Sequence, residues 1–254
     1  MPARQRHSLT DAEGPSVYHR QTMPVPYQTL PAPLPLDPLA VAADWLAEAW
    51  TLAAQPNPNA MTLATVGPGG RPSARIVLCK DIAITGGYVR FVSNYASRKG
   101  VELAQEPRAA IVMHWDHLHR QVRMEGVVVR SPEQESDEYF DSRPWQSRVG
   151  AWASAQSQPV DSREQLIEQL RAAGRRFDTP PVGPDAPRGD RSSPDVTVPR
   201  PAYWGGYRFW VEAVELWVEG EYRIHDRARY ERTLTADGQG GFVGSAWLAT
   251  RLQP

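Results

Sequence analysis

The sequence predicts a mainly β fold, an antiparallel barrel with peripheral helices. Short apolar segments of strand-like composition follow one another at hairpin distance and are joined by glycine-rich turns over 67–70 and 85–87. Only four segments show the wider apolar spacing of amphipathic helices. Strands therefore outnumber helices, and their short connections favour antiparallel pairing.

The predicted elements lie mostly between two proline-rich segments. Asp37 is a suitable cap for a first amphipathic helix. The apolar stripe of that helix includes Leu39, Leu46 and Trp50. Further helices are predicted over 97–106, from 131 onward and over 161–177. The predicted strands cover 60–66, 71–80, 88–94, 108–116, 120–130, 207–219, 222–233 and 245–254.

The prolines mark the limits of the folded part. Of the 24 prolines, eight fall within 1–40 and seven within 180–201. Proline lacks a backbone donor and restricts the residue before it, so neither segment suits a regular helix or a central strand. We therefore expect a flexible arm over 1–35 that is dispensable for folding, and a single domain over 36–254 with a surface insertion at about 178–200.

The overall composition restricts the possible partners and the compartment. Lys and Arg (28) nearly balance Asp and Glu (29), so no global positive field exists that would hold a nucleic acid. The single cysteine, Cys79, excludes an internal disulfide and is typical of a reducing compartment. No apolar run approaches the roughly 18 residues of a membrane span. We expect a cytoplasmic protein that binds neither nucleic acid nor a membrane.

The predicted helix at 97–106 begins with two cations. Ser97 is a good N-cap, but Arg98 and Lys99 occupy the first turn, where the helix dipole already places partial positive charge. A bound phosphate would compensate them through backbone amides, the Ser97 hydroxyl and both side chains. The alternative is that both cations point into water. The helix alone favours neither interpretation.

Two other segments also gather cations. Arg75 and Lys80 stand near the ends of an apolar strand, and near the C-terminus Arg223, His225 and Arg227 alternate so that they would line one face of a strand. Like charges this close repel unless an anion or an aromatic surface covers them. Three cationic clusters in a chain of net charge −1 indicate a small ligand that carries several negative charges.

Other kinds of site are not supported. The chain has neither a P-loop motif nor a strand-linked GxGxxG, so a nucleotide site of either type is not expected. His114, His117 and His119 have no cysteine partner and no common zinc spacing, so we expect no metal. Cys79 lies within a strand and is expected to pack as a small apolar residue rather than act as a nucleophile.

Several ordered motifs carry a family resemblance. They are RIVLCK (75–80), SRKG (97–100), RQVRMEG (120–126), YFDSRPWQSRVGAWAS (139–154), QS (156–157), PRPAYWGGYR (199–208), RIHDR (223–227) and the terminal RLQP (251–254). Together they resemble the pyridoxine/pyridoxamine 5′-phosphate oxidase family over about residues 37–254.

The resemblance implies an FMN-binding split β-barrel, antiparallel and Greek-key-like, that forms a homodimer with FMN at the subunit interface. The residues that it assigns to FMN are Arg75, Ile76, Val77, Leu78, Lys80, Val92, Ser93, Arg98, Lys99, Gln121, Gln156, Ser157, Trp204 and Arg227. Those that it assigns to a small phosphorylated pyridine substrate are Lys80, Tyr139, Arg143, Ser147, Arg223 and His225. Of these, Arg223 and His225 are the implied catalytic residues.

The implied reaction converts pyridoxine or pyridoxamine 5′-phosphate to pyridoxal 5′-phosphate and reduces O₂ to H₂O₂. One departure from the family is the N-terminal arm, which has Tyr18-His19-Arg20 where members usually carry Arg-x-x-Tyr. This departure favours one alternative, a related flavin oxidase of secondary metabolism that acts on a reduced phenazine intermediate. The other alternative is a split barrel that binds flavin without catalysis.

Overall fold

The computed structural model of the protein describes residues 28–184 and 196–254. Most of its strands join one large sheet, and two short strands form a separate hairpin. The strands of the large sheet are β1 (Ala60–Gly67), β2 (Arg71–Leu78), β3 (Asp81–Ala83), β4 (Tyr88–Asn94), β5 (Arg108–Trp115), β6 (Arg120–Arg130), β7 (Trp204–Val218), β8 (Asp226–Glu231) and β11 (Leu248–Leu252). The hairpin consists of β9 (Leu234–Ala236) and β10 (Phe242–Gly244).

The large sheet is antiparallel and is organised around its longest strand, β7. The strand order is β11-β8-β7-β6-β5-β1-β2, while β4 pairs with the first half of β7 and β3 pairs with β4. Since β2 and β11 end this path without pairing to each other, the sheet is not closed into a complete barrel. The predicted mainly β, antiparallel split-barrel fold is confirmed.

The described residues also form five α-helices. They are α1 (Pro38–Leu52), α2 (Arg98–Gln105), α3 (Glu133–Asp141), α4 (Trp145–Ala153) and α5 (Arg163–Arg176). The Asp37 carboxylate caps α1 as predicted, but Trp45 rather than Trp50 faces the core, and Trp50 is half exposed. The sequence analysis missed α4, which has no side-chain N-cap. No helix within the described residues is long and apolar enough to cross a bilayer.

The apolar residues form two cores. The main core fills the barrel and includes Phe91, Trp115 and Phe209. A smaller core joins α4 and α5 to the end of the predicted insertion through Trp145, Val149, Ala173 and Val198. The insertion at 178–200 therefore packs against the domain at its C-terminal end, while its residues 185–195 lie outside the described part of the chain.

The described end of the predicted N-terminal arm packs on the barrel. Leu30 is buried in the main core, its amide donates to Asp226 Oδ2 (2.7 Å), and its carbonyl accepts from Arg251 Nη2 (3.2 Å). Leu30 therefore anchors the described end of the arm, because an extended proline-rich segment still carries leucines that can be buried. That the arm is dispensable for folding stays a prediction. Residues 1–27 of the arm lie outside the described residues.

Candidate functional site

A cavity of about 680 Å³ opens between strands β2 and β4, helices α2 and α4 and the start of β7. The predicted site residues that line it are Arg75, Ile76, Val77, Leu78, Lys80, Val92, Ser93, Lys99, Tyr139, Arg143, Ser147, Gln156, Ser157 and Trp204. The predicted site residues that do not line it are Arg98, Gln121, Arg223, His225 and Arg227.

The cavity is also lined by four residues that were not predicted from the sequence: Asn94, Gly150, Ala151 and Ser154. Gly150 and Ala151 follow Ser147 by three and four residues, so all three lie on one face of α4. A predicted helix here would have placed Gly150 and Ala151 beside Ser147 in the site.

The cavity is strongly cationic. Arg75, Lys80, Lys99 and Arg143 all line it, whereas no Asp or Glu does so among the residues that the structure describes. Charged side chains are rarely buried without a compensating charge. The arrangement therefore suits a ligand with more than one negative group.

Lys99 is the most buried cation of the cavity, with 9% of its surface exposed. The Ser97 hydroxyl caps α2 at the Gly100 amide, as predicted, and also accepts from Lys99 Nζ (3.0 Å). Gln156 Oε1 is the second acceptor, at 2.9 Å. Burial, together with the nearby charge of Arg75, lowers the pKa of Lys99 to about 8. Because both partners of the ammonium are neutral, a bound anion would stabilise its charged form.

Arg98 has a partner that the sequence analysis overlooked. Its Nε donates to Glu102 Oε1 (2.9 Å) one helical turn away, and the guanidinium is 65% exposed. Glu102 is buried, and burial alone would raise its pKa. Hydrogen bonds from Thr65, Ser73 and Arg98 and the charge of Arg75 instead lower the pKa of Glu102 to about 2. Glu102 thus neutralises part of the predicted cationic cluster, and Lys99 is the first-turn cation that it leaves unpaired.

Gly100 allows α2 to begin close enough to the sheet to place Lys99 in the cavity. A Cβ at this position would lie 2.2 Å from the Tyr95 carbonyl oxygen. We expect Gly100→Ala to lower the free energy of unfolding by about 1–3 kcal/mol, because the helix would be forced away from the backbone of Tyr95. Urea denaturation measures the change.

Gly150 provides the matched control for Gly100. It also lies within a helix, but a Cβ there would meet no atom within 4 Å. Gly150→Ala should raise the free energy of unfolding by about 0.5–1 kcal/mol, since alanine restricts the unfolded chain more than glycine does. A neutral or stabilising Gly100→Ala would show that α2 does not require this close approach.

A second part of the cavity combines cations with aromatic rings. The Arg143 guanidinium lies 4.7 Å from the centre of the Trp204 ring, and Lys80 Nζ lies 5.5 Å from the centre of the Tyr139 ring. The Trp204 and Tyr139 rings are nearly parallel, 10° apart, with their centres separated by 6.2 Å. Arg143 Nη1 is buried and has no hydrogen-bond partner in the part of the chain that the structure describes. Donors oriented by aromatic faces remain free to bind an anion.

The predicted row of Arg223, His225 and Arg227 on one strand face is wrong. Strand β8 begins only at Asp226, and Arg223 lies in a preceding 3₁₀ turn with left-handed backbone, φ 65°. Arg227 does have an acidic partner, since its Nε and Nη2 donate to Glu215 Oε1 at 3.1 and 3.0 Å. Glu215 belongs to β7, so alternation along β8 alone could not reveal it.

Three of the predicted residues that are absent from the cavity surround Trp217 instead. Gln121 is opposite Trp217 in the β6–β7 register, and Arg227 is opposite it in the β7–β8 register. The His225 ring lies 4.8 Å from the Trp217 ring, centre to centre. The sequence analysis did not select Trp217, although RIHDR follows it closely in the sequence. We call Gln121, Trp217, His225 and Arg227 the Trp217 cluster.

Cys79 and His119 differ in their surroundings. Burial raises the pKa of the Cys79 thiol to about 12, which keeps it protonated and unreactive. His119 Nδ1 lies 2.5 Å from Glu219 Oε2. Within 28–184 and 196–254, no group of three or more His, Cys, Asp or Glu side chains is arranged to hold a metal ion.

Comparison with known proteins covers most of the chain. Residues 51–173 match the family model described as pyridoxamine 5′-phosphate oxidase, and residues 204–254 match the pyridoxine 5′-phosphate oxidase C-terminal dimerisation region. A pyridoxine/pyridoxamine 5′-phosphate oxidase of Burkholderia cenocepacia is 44% identical over 219 residues, 86% of this chain and 89% of the relative. A Rubrobacter xylanophilus protein of the same name is 43% identical over 218 residues, 86% and 87% of the two chains.

Two solved structures resemble the fold. PhzG from Burkholderia lata, in complex with tetrahydrophenazine-1-carboxylic acid, has a TM-score of 0.69 and 28% identity over 87% of this chain and 94% of its own. A pyridoxamine 5′-phosphate oxidase-related, FMN-binding protein from Nostoc punctiforme has a TM-score of 0.57 and 19% identity over 85% and 96% of the chains, a likeness of fold alone. With both family models matched and relatives more than 40% identical along most of its length, the chain belongs to the pyridoxine/pyridoxamine 5′-phosphate oxidase family.

Proposed function

We propose that the protein is an FMN-dependent oxidase that converts pyridoxine or pyridoxamine 5′-phosphate to pyridoxal 5′-phosphate with reduction of O₂ to H₂O₂. The observation that carries the proposal is the cationic cavity, where Lys99 and Arg143 have no ion-pair partner and no carboxylate lines the walls among the described residues. FMN and the substrate each bring one phosphate, so together they match both cations. The curated relatives are named as oxidases, which supports an oxidoreductase.

The residues present fit this pair of ligands in separate parts of the cavity. Lys99, held by Ser97 and Gln156 at the start of α2, would bind the FMN phosphate. Arg143 and Lys80, oriented by aromatic rings, would bind the substrate phosphate. The exposed apolar side chain of Ile76 on β2 would pack against the face of the planar flavin ring.

A homodimer would complete the site. The match of residues 204–254 to a dimerisation region supports such a dimer. This region contains Arg223, His225 and Arg227, which lie outside the chain's own cavity. We propose that the Trp217 cluster and Arg223 of one subunit face the cavity of its partner. This arrangement would bring Gln121, Arg223, His225 and Arg227 to the cavity, which leaves Arg98 as the predicted site residue outside it.

When bound, FMN would supply the redox chemistry, accepting a hydride from the substrate C4′ carbon and passing two electrons to O₂. The chain contributes binding and orientation. Gly220 N–H donates to His225 Nδ1 (3.2 Å), so neutral His225 carries its proton on Nε2 and can donate a hydrogen bond from that atom. Tyr222 and Arg223 in this turn have left-handed backbone, which is strained for residues other than glycine. Arg223 and His225 would then approach the substrate ring in a defined orientation.

A second candidate is a flavin oxidase that acts on a reduced phenazine carboxylic acid. The observation that favours it is the likeness to PhzG, whose structure holds tetrahydrophenazine-1-carboxylic acid. A carboxylate would also pair with Arg143. A phenazine carries one anionic group on a larger ring, whereas pyridoxine phosphate carries a dianion on a small ring, so the two candidates differ in the charge that the cavity must bind.

Anaerobic mixing of the FMN-loaded protein with each substrate tests the proposal. We expect pyridoxine or pyridoxamine 5′-phosphate to bleach the visible flavin absorbance and admitted O₂ to restore it with release of H₂O₂. Bleaching by the reduced phenazine alone would support the second candidate. Binding of both substrates without bleaching would identify a split barrel that binds flavin without catalysis.

The affinity for FMN should decrease at alkaline pH. Lys99 has a pKa of about 8 in the free protein, and a bound phosphate raises it by stabilising the ammonium. Above pH 8, binding therefore requires uptake of a proton, and the affinity should fall by up to about tenfold per pH unit. Fluorescence titration of apoprotein with FMN between pH 7 and 9.5 measures this, and Lys99→Met should remove the pH dependence. A wild-type affinity for FMN that does not change between pH 7 and 9.5 would contradict this expectation.

A further inference from the structure

Arg143 is oriented by aromatic rings rather than by a carboxylate. Its guanidinium carbon lies 4.7 Å from the Trp204 ring centre and 5.6 Å from that of Phe140. Among the described residues it has no ion-pair partner, and its buried Nη1 makes no hydrogen bond. The position of Trp204 therefore decides where the donors of Arg143 point.

Trp204 is in turn fixed by a buried arginine outside the cavity. Arg200 Nη1 donates to the Trp204 carbonyl oxygen (2.7 Å). The same guanidinium binds two carboxylates of α3 that are one helical turn apart, Asp137 through Nε (2.6 Å) and Glu133 through Nη2. Only 8% of the Arg200 side chain is exposed. One side chain thus connects the start of β7 to α3.

The connection matters because α3 leads into Arg143, which is proposed to bind the substrate phosphate, and carries Tyr139, whose ring faces Lys80. The helix lies close to β7, where the Gly206 amide donates to Ser136 Oγ (3.0 Å) and a Cβ on Gly205 would meet Ser136 Oγ at 2.9 Å. A shift of α3 along β7 would move the anion-binding side chains relative to the rest of the cavity.

We infer that Arg200 is a positioning residue for substrate specificity, which acts through Trp204 to hold Arg143 against the anionic group of the substrate. The inference rests on the proposed function, since it concerns the substrate phosphate. Arg200 itself touches no cavity surface and contributes no charge to the ligand. Its effect is on where Arg143 lies.

Binding of a substrate analogue that cannot be oxidised tests the inference. The FMN-loaded protein is dialysed against 4-deoxypyridoxine 5′-phosphate and, separately, against 4-deoxypyridoxine. The dissociation constant of the unphosphorylated analogue divided by that of the phosphorylated analogue measures how strongly the protein recognises the phosphate. We expect Arg200→Met to reduce this ratio about tenfold, because a misplaced Arg143 loses a charge-assisted hydrogen bond. FMN content and the affinity for the unphosphorylated analogue should stay as in the wild type.

Arg208→Met is the matched control. Arg208 also connects β7 to α3, through an ion pair with Glu135, but among the described residues its guanidinium packs on the Tyr88 ring and not on Trp204. If Arg200 only attached the helix to the sheet, both variants would lower the ratio equally. We expect Arg208→Met to leave the ratio unchanged within about twofold, since it lies outside the path to Arg143.

A double-mutant cycle separates positioning from an independent effect. In an Arg143→Met background, Arg200→Met should cause no further loss of phosphate recognition. An additive loss would overturn the inference, as would an unchanged ratio in Arg200→Met or an equal loss in Arg208→Met. Wild-type protein that binds both analogues equally would instead contradict the proposed function. If Arg200→Met does not fold, Asp137→Asn removes one of its partners and should lower the ratio about threefold.

Discussion

Lys99→Met is expected to raise the dissociation constant for FMN by about ten- to a hundredfold, since a hydrogen bond to a charged group contributes about 1.5–3 kcal/mol. Lys99 is buried in the cavity, and its two hydrogen-bond partners, Ser97 and Gln156, are neutral. Its charge is therefore available to a phosphate. Titration of apoprotein with FMN, followed by the quenching of flavin fluorescence, measures the loss.

Arg108→Met is the control for the loss of one positive charge near α2. Arg108 is exposed, is paired with Glu106 and does not line the cavity. Its removal should leave the affinity for FMN within about twofold of the wild type, because surface ion pairs contribute little. Wild-type affinity in Lys99→Met would show that the FMN phosphate is bound elsewhere.

Arg143→Met is expected to keep the flavin and to lower kcat/KM for pyridoxine 5′-phosphate by about ten- to a hundredfold. Among the described residues the guanidinium has no carboxylate partner, and its buried Nη1 makes no hydrogen bond. Its removal therefore costs a contact with the ligand but leaves no carboxylate without its partner. The loss should appear mainly in KM, because the phosphate is bound equally before and during the reaction. Steady-state H₂O₂ production measures it.

Substrates without phosphate provide the control for Arg143. Turnover of unphosphorylated pyridoxine should be nearly the same in the wild type and in Arg143→Met. Equal losses for both substrates would indicate that the variant disturbs the cavity in general. An unchanged kcat/KM for the phosphorylated substrate would place the phosphate site elsewhere and favour the phenazine oxidase.

Local patterns in the sequence predicted most of the sheet. The glycine turns and the alternation of strands such as β4 and β6 lie where the hairpin pattern placed them. The prediction failed for elements and residues whose structure depends on packing against other strands or helices. α4 has neither a polar N-cap nor a long apolar stripe, and packing against α5 and Val198 stabilises it instead. Leu30 is likewise buried by strands that come much later in the chain.

Within the site, the acidic partners of the cationic residues were likewise not predicted from the sequence. The sequence analysis recognised that Arg98 and Lys99 require compensation, but not that Glu102 already supplies it to Arg98. It grouped Arg227 with other cations and missed its partner Glu215, which is on another strand. Partners one helical turn away can be read from the sequence, whereas partners across a sheet require the register. The division of the predicted site residues between the cavity and the Trp217 cluster could not be predicted from one chain.

The most direct test of the proposed function is the ratio of kcat/KM for pyridoxine 5′-phosphate to that for pyridoxine, measured with the FMN-loaded wild type under air. The cationic cavity predicts a ratio of at least about a hundred, because Arg143 and Lys80 would both contact the phosphate, each contributing about 1.5–3 kcal/mol. It also predicts one H₂O₂ for each aldehyde formed. A ratio near one, or faster oxidation of a reduced phenazine carboxylic acid than of either pyridine, would contradict the account.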